Sequence, residues 1–177
     1  MVFTDEQLAV KSKHGEKQAF EELVKRFQQP IYTICYRYLG NSSDAWDAAQ
    51  NTFIRLYNKF HLYDAGYPFR PWLYRIAVNS AKDLLKKRRP WEELDHNLES
   101  STGDPAENLL DSYLGREIEK ALLKLPEKYR MALILRHIKE LEYQEIADVL
   151  RLPLNTVKTH VRRGRELLRK ELQEVEL

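Results

Sequence analysis

Residues 143–170 read YQEIADVL, then RLPLN, then TVKTHVRRGRELLRK. The spacing predicts a helix over Tyr143–Leu150, a turn over Arg151–Leu154 and a second helix from Asn155 to Lys170. Ile146, Ala147 and Leu150 share one face of the first helix, and the small Ala147 lets a second helix approach closely. Pro153 has no N–H to continue the helix, and Asn155 is expected to cap the next one with its side-chain oxygen. In the second helix Val157, Val161, Gly164 and Leu168 recur at helical spacing and must point inward. Lys158, Thr159, Arg162 and Arg163 point away, flanked by Arg165 and Arg169. Gly164 costs about 1 kcal/mol relative to Ala inside a helix, so its presence implies a close approach.

Cations and hydroxyls along one helix face suit duplex DNA. Cations neutralise phosphates, and Arg can also grip a guanine edge at two points. In a helix-turn-helix the opening residues of the second helix meet base edges. Here these are Thr156, Lys158, Thr159, Arg162 and Arg163, with Arg165 beside them. The plainer alternative is a solvated surface helix in which Glu166 pairs with Arg162 or Lys170. The short helix and capped turn in front favour DNA binding.

Beyond this stretch, 177 residues fit one large or two small domains. Charged residues make up 32% and hydrophobic ones 43%, the balance of a soluble globular protein. No apolar run approaches the roughly 20 residues a membrane helix needs, and no signal-peptide pattern opens the chain. Cys35 stands alone among apolar neighbours, which points to a reducing cytoplasm and a core thiol. The net charge of +2 hides a pattern. KDLLKKRR over 82–89 is basic, whereas 91–112 has no Lys or Arg but carries Glu92, Glu93, Asp95, Glu99, Asp104, Glu107 and Asp111. Two cationic modules joined by an anionic linker would give this alternation.

Taken from the start, Thr4 and Gln7 form a candidate capping box for a short helix closed near His14-Gly15. Ala19, Phe20, Leu23, Val24 and Phe27 trace a second helix expected to stop before Pro30, and Ile31–Leu39 a third. Ser43 is expected to cap a fourth, running to about Phe60, with Ala45, Ala49, Phe53, Leu56 and Tyr57 inward. Its polar face of Asp47, Gln50, Asn51 and Arg55 is either solvated or a docking face for a protein. HLYDAGYP, 61–68, reads as a loop whose Tyr63 and Tyr67 either pack on the core or offer rings to unpaired bases.

From Phe69 to Arg89, Leu73, Ile76, Ala77, Ser80 and Leu84 form an inward face. Trp72, Arg75, Asn79, Lys82 and Lys86 recur on another. That stripe suits single-stranded or opened DNA, rings stacking on bases while cations follow the backbone. Alternatively Trp72 is core and the cations decorate a surface. Residues 90–111 read as an acidic linker with Trp91 and Leu94 as anchors. A helix over Ser112–Leu125 is expected to turn Ile118, Ala121, Leu122 and Leu125 inward, and after Pro126 a further helix over Tyr129–His137 buries Leu133 and Ile134. The fold class is therefore all-α, with a four- to five-helix domain over 1–90, a linker over 91–111 and a helix-turn-helix domain over 112–177.

The residues resemble a bacterial RNA polymerase sigma factor of the extracytoplasmic-function (ECF) group, which keeps sigma domains two and four. The resemblance spans nearly the whole chain. It is most specific in LLKLPEKYRMALILRHIKELEYQEIADVLRLPLNTVKTHVRRGRELLR, which is close to the domain-four pattern. GNSSDAWDAAQNTFIRLY resembles the helix that docks on the clamp helices of the largest polymerase subunit, and FRPWLYRIAVNSAKDLLKKRR the segment that melts and reads the minus-ten element. The resemblance implies that Asp47, Gln50, Asn51, Phe53 and Arg55 lie on or support the polymerase-docking helix. It implies that Tyr63, Tyr67, Trp72, Arg75, Asn79, Lys82 and Lys86 meet the opened minus-ten strand, and that Thr156, Lys158, Thr159, Arg162, Arg163 and Arg165 read the minus-thirty-five element. The partners implied are promoter DNA, core polymerase (the clamp helices and the flap of the second-largest subunit) and an anti-sigma factor, without membrane insertion. Trp46, Asn51, Arg151 and Asn155 depart from the family pattern.

Two rival classes stand beside this reading. An ordinary helix-turn-helix regulator would bind palindromic duplex as a dimer and ignore polymerase. An enzyme would need a site, and the sequence has no phosphate-cradling glycine loop, nucleophile elbow or paired ligand spacing among His14, His61, His96, His137 and His160. No catalytic residue, metal site or cofactor is expected.

Overall fold

A computed structural model of the chain describes residues 2–92 and 113–175, all helix and turn among the described residues. The acidic linker, Leu94 included, lies almost wholly outside the described residues. Among these residues eight helices run in order: α1 (Asp5–Lys13), α2 (Lys17–Leu39), α3 (Ser42–Lys59), α4 (Phe69–Glu92), α5 (Tyr113–Lys124), α6 (Glu127–Leu133), α7 (Tyr143–Leu150) and α8 (Leu154–Val175). A 3₁₀ turn, Phe60–Leu62, follows α3, and a wider π-type turn, Ile134–Ile138, extends α6.

The first helix starts as its sequence dictates. Gln7 N donates to Thr4 Oγ1 at 3.2 Å while Thr4 N donates to Gln7 Oε1 at 2.9 Å, a reciprocal cap. Two expected boundaries are corrected. Pro30 does not break the second helix; α2 runs through it as one 23-residue element. The missing N–H removes one hydrogen bond, but Leu23 and Phe27 on one side and Ile31, Tyr32, Ile34 and Cys35 on the other are all buried in the same core, and their packing holds the helix together. The third helix is capped by Asn41, whose Oδ1 accepts from Asp44 N at 3.0 Å, rather than by Ser43.

In the N-terminal unit α1, α2, α3 and α4 pack around Leu23, Ile31, Ile34, Leu56, Phe69, Leu73 and Ala77. Cys35 is sealed inside, and burial pushes its thiol up to about 12, so it is a core atom without thiolate character. In the C-terminal unit α8 lies against α5, α6 and α7. Gly164 answers the expectation of close approach: a Cβ there would sit 3.0 Å from Leu133 Cγ and 3.3 Å from the Tyr129 carbonyl. Ile118 is a correction, since it turns partly outward on α5 while Ala121, Leu122 and Leu125 are buried.

The two units are packed together. The C-terminal unit rests on α2 and α4. Arg130 is the central clasp: its Nη1 donates to the Tyr38 carbonyl at 2.6 Å, and its Nη2 to the carbonyls of Leu123 and Leu125 at 2.6 and 3.0 Å. Tyr38 Oη donates to Glu127 Oε2 at 3.1 Å, and Arg37 pairs with Glu119. Gly40, left-handed at φ 73°, ends α2 where a Cβ would lie 2.6 Å from Leu123 Cδ1. The left-handed backbone favours glycine there, and any side chain would also push the end of Leu123 aside.

Candidate nucleic-acid interface

The helix pair that ends the chain is built from both ends. Glu142 N donates to Glu145 Oε2 at 2.8 Å, starting α7. Arg151 ends it in the left-handed region, φ 53° and ψ 48°, with its N–H on the Ala147 carbonyl. This is where the sequence departs from a glycine, and an arginine held there costs on the order of 1 kcal/mol. The turn is shorter than expected. Helix α8 already begins at Leu154, and Val157 N donates to the Pro153 carbonyl at 3.1 Å. Asn155 therefore lies inside the first turn and is not the cap, because Pro153 supplies the acceptor that closes that turn.

Val157, Val161 and Gly164 are buried, and the opposite side of α8 carries Lys158, Arg162, Arg163 and Arg165 exposed to solvent, with Thr156 and Thr159 half-buried between them. Four of these groups are already engaged. Thr159 Oγ1 donates to the Asn155 carbonyl at 2.9 Å, leaving only its acceptor lone pairs free. Arg162 Nη1 donates to Glu166 Oε1 at 2.8 Å, the pair that a merely solvated helix would also make. Arg165 Nε donates to His137 Nε2 at 3.0 Å, and His137 is held below its usual range by burial and then by Arg165 and Arg136. Arg163 Nη1 donates to Tyr129 Oη at 3.5 Å.

On α4, Asn79 and Lys86 are exposed and Lys82 is half-buried, its ammonium lowered by burial and then by Lys86. Trp72 is half-buried, its ring tilted on Tyr63 at 5.1 Å and on Phe60 at 6.0 Å. One edge belongs to the core and one to the surface. Tyr63 is a correction: it is 2% exposed, packs edge-on to Phe69 at 5.7 Å, and donates its hydroxyl to the Tyr67 carbonyl at 3.0 Å. Of the two readings open to this ring, the structure takes core packing, against Phe69 and Trp72. Tyr67, 69% exposed, keeps the open face. Arg75 is spent across the seam. Its Nε and Nη2 donate to the Asp148 carbonyl at 3.1 and 2.7 Å, tying α4 to α7.

On α3, Asp47, Gln50 and Asn51 are exposed together, whereas Phe53 is half-buried and Arg55 pairs with Asp83 of α4 at 2.8 Å. Sequence reasoning missed the apolar members of this face. Trp46, Ile54 and Tyr57 are 42%, 58% and 67% exposed, and Tyr57, expected inward, is turned out. Their signal was present: Trp46, Gln50, Ile54 and Tyr57 follow one another at intervals of four, four and three, which is one helix stripe. Trp46 is steadied by Tyr32, with ring centres 4.5 Å apart.

The sigma-70 region 2 profile matches residues 23–90, and the sigma-70 region 4 profile residues 115–168. The ECF RNA polymerase sigma factor SigW of Bacillus subtilis (strain 168) is 38% identical over 175 residues, covering 92% of this chain and 94% of that protein. The ECF RNA polymerase sigma-E factor of Escherichia coli (strain K12) is 33% identical over 182 residues, covering 96% and 95%. Among solved structures, CnrH in complex with the cytosolic domain of CnrY superposes with a TM-score of 0.74 at 26% identity, over 96% of this chain and 97% of that one. The sigma factor RpoE of Bartonella quintana, solved with the anti-sigma factor NepR, shares the fold with a TM-score of 0.72 at 22% identity, over 87% of this chain and 96% of that one. With regions two and four both matched in order and relatives aligned end to end, the chain belongs to the ECF group of RNA polymerase sigma factors, which direct transcription initiation.

Proposed function

We propose that the protein works as a two-handed promoter clamp without catalytic chemistry of its own, acting in the cytoplasm on core RNA polymerase. Residues 1–90 act as the docking and minus-ten unit, 91–111 as the acidic linker and 112–177 as the minus-thirty-five unit. The observation that carries this reading is the outward row of α8, with Lys158, Arg162, Arg163 and Arg165 exposed along one side of a helix whose other side is sealed. Thr156, Lys158 and Arg162 read the upstream duplex, Thr159 contributes as an acceptor, and Arg163 and Arg165 support the backbone grip. Tyr67, Trp72, Asn79, Lys82 and Lys86 hold the opened minus-ten strand, where stacking at ~1–3 kcal/mol per base offsets the few kcal/mol of unstacking.

On α3, the stripe of Trp46, Gln50, Ile54 and Tyr57, with Asp47 and Asn51 beside it, docks on the polymerase clamp helices. An exposed apolar strip with a polar rim is the ordinary make-up of such a contact. The flap of the second-largest subunit takes the C-terminal unit. The two solved complexes that superpose on this chain each carry a partner, the cytosolic domain of CnrY on CnrH and the anti-sigma factor NepR on the sigma factor RpoE. An anti-sigma factor is accordingly the expected negative partner here.

The packed arrangement of the two units cannot itself span a promoter. Elements centred about 25 base pairs apart lie roughly 85 Å apart along duplex at 3.4 Å per step. Arg75, tied to α7, is also unavailable to the minus-ten strand until the units part. Separation is sterically permitted, because twenty residues between the described units reach up to about 70 Å when extended. Core polymerase is the agent that holds them apart. In vitro transcription with bacterial core enzyme on a genomic promoter library, with permanganate footprinting of the selected promoters, tests the reading. Arg162→Ala should weaken upstream binding, and Asn79→Ala should mainly impair opening. Loss of both functions together in each variant would refute the division of labour.

A further inference from the structure

An open hollow of ≈ 250 Å³ lies between the start of α6 and the first three turns of α8. Lys128 and Tyr129 line one side and Asn155, Thr156, Thr159, His160 and Arg163 the other, with no carboxylate among them. Lys128 Nζ stands 5.0 Å from the centre of the Tyr129 ring, and Arg163 Nη1 lies 3.5 Å from Tyr129 Oη. The Tyr129 ring meets His160 edge-on at 5.4 Å, and His160 Nδ1 is enclosed with no hydrogen-bond partner among the described residues. Two cations and a phenol thus converge from two helices on a space that nothing in the lining neutralises. The chemistry complementary to them is a compact oxyanion whose oxygens accept from an ammonium, a guanidinium and an O–H together.

We propose that this hollow seats one backbone phosphate of the duplex bound by α8, with Lys128, Tyr129 and Arg163 as its donors, so that α6, outside the helix-turn-helix, helps fix the register on DNA. The proposal rests on the reading of α8 as a duplex-binding helix and adds a contact of the kind that positions without reading sequence. Two observations favour phosphate over a base edge. The donors are arrayed around an open depression instead of projecting in a row, and the hollow sits beside the exposed run of Lys158 and Arg162 and not within it. The surroundings are electropositive: burial, then Lys128, then Arg163 hold His160 below its usual range.

The test uses holoenzyme assembled from the full chain and bacterial core polymerase, on a promoter it selects. Lys128 is exposed, so Lys128→Ala leaves the fold intact, with an unchanged melting temperature as control. It should weaken upstream binding roughly tenfold on preferred and scrambled upstream sequences alike, and lower the slope of log affinity against log salt by about one. Tyr129→Phe, which keeps the ring, should give a smaller loss of about threefold. Methylphosphonate scanning, which neutralises single phosphates, should find one position that weakens wild-type binding and has no effect on the Lys128→Ala protein. If Lys128→Ala keeps the affinity, the salt slope and the methylphosphonate profile of wild type while Arg162→Ala loses sequence preference, the phosphate seat is wrong and the reading of α8 survives. If wild-type holoenzyme shows no upstream preference at all, both fall.

Discussion

Reversing Glu119 to arginine should pry the two units apart. Glu119 of α5 pairs with Arg37 of α2 across the seam, with side-chain exposures of 23% and 15%. Fully buried pairs cost 3–5 kcal/mol when broken from one side, and exposed pairs 0.2–1 kcal/mol. At this partial exposure the substitution should cost the packed form about 2 kcal/mol, between those limits and weighted toward the buried case by the added like-charge repulsion. At 1.4 kcal/mol per factor of ten, the closed-to-open ratio falls about thirtyfold. If the open form is well under 1% of wild type, apparent affinity for core polymerase rises by nearly the same factor. Distances can be read by pulsed EPR between labels on cysteines placed at Lys25 and Lys170, both exposed and outside the α3 docking stripe. The native Cys35, buried with its thiol pushed up to about 12, should stay unlabelled. Glu119→Arg should broaden and lengthen the distribution, and adding Arg37→Glu should restore it. An unchanged distribution in Glu119→Arg, or a double variant no more closed than the single, would refute the claim that this pair holds the seam.

Three further outcomes follow from particular contacts. Arg162 must leave Glu166 before it can grip a base, and an exposed helical pair of this kind is worth about 0.3–0.5 kcal/mol. Glu166→Gln should therefore tighten upstream binding about twofold in a titration at fixed salt; weaker binding would mean that Glu166 orients Arg162 instead of restraining it. Ile54→Asp puts a charge in the middle of the exposed α3 stripe and should weaken core-polymerase binding tenfold or more at unchanged melting temperature, measured by fluorescence anisotropy. Equal affinity would remove the stripe from the docking surface. The closed arrangement should also respond to pH. Burial, then the Arg37 cation, push the Lys139 ammonium down to about 8 from the ordinary 10.5. Between those values the open form holds more protons than the closed one, so the closed form gains stability as pH rises through that window and gains nothing below it. Inter-label distances at pH 7 and pH 9.5 check this, and a more open protein at high pH would contradict it.

Much of the architecture was legible because local rules and global packing agree. Thr4 and Gln7 cap α1 as their spacing requires, and Gly164 sits where α8 meets Leu133. The outward row of α8 also followed from periodicity alone. What escaped was decided by packing between elements. Pro30 is a breaker by local rules, yet buried residues on both sides carry α2 through it. Tyr63 sits in a loop of turn residues, yet Phe69 and Trp72 draw its ring inside. The α3 stripe was hidden because Tyr57 was grouped with the core residues one position away, and a single position is 100° of helix. The seam was beyond any one-dimensional reading. Arg37, Arg75 and Arg130 look like surface cations in sequence, and each finds its acceptor on a partner 73 to 92 residues distant.

The central claim is that two cationic helical units grip one promoter at two places while polymerase holds them apart. Single-molecule distance measurement between the same two labels, in the free protein and then in holoenzyme on a selected promoter, tests it most directly. The account predicts a short distance in the free chain, and on the promoter a separation of many tens of ångströms that appears only when core polymerase is present and precedes the first transcript. A holoenzyme that initiates with the units still packed together would contradict it.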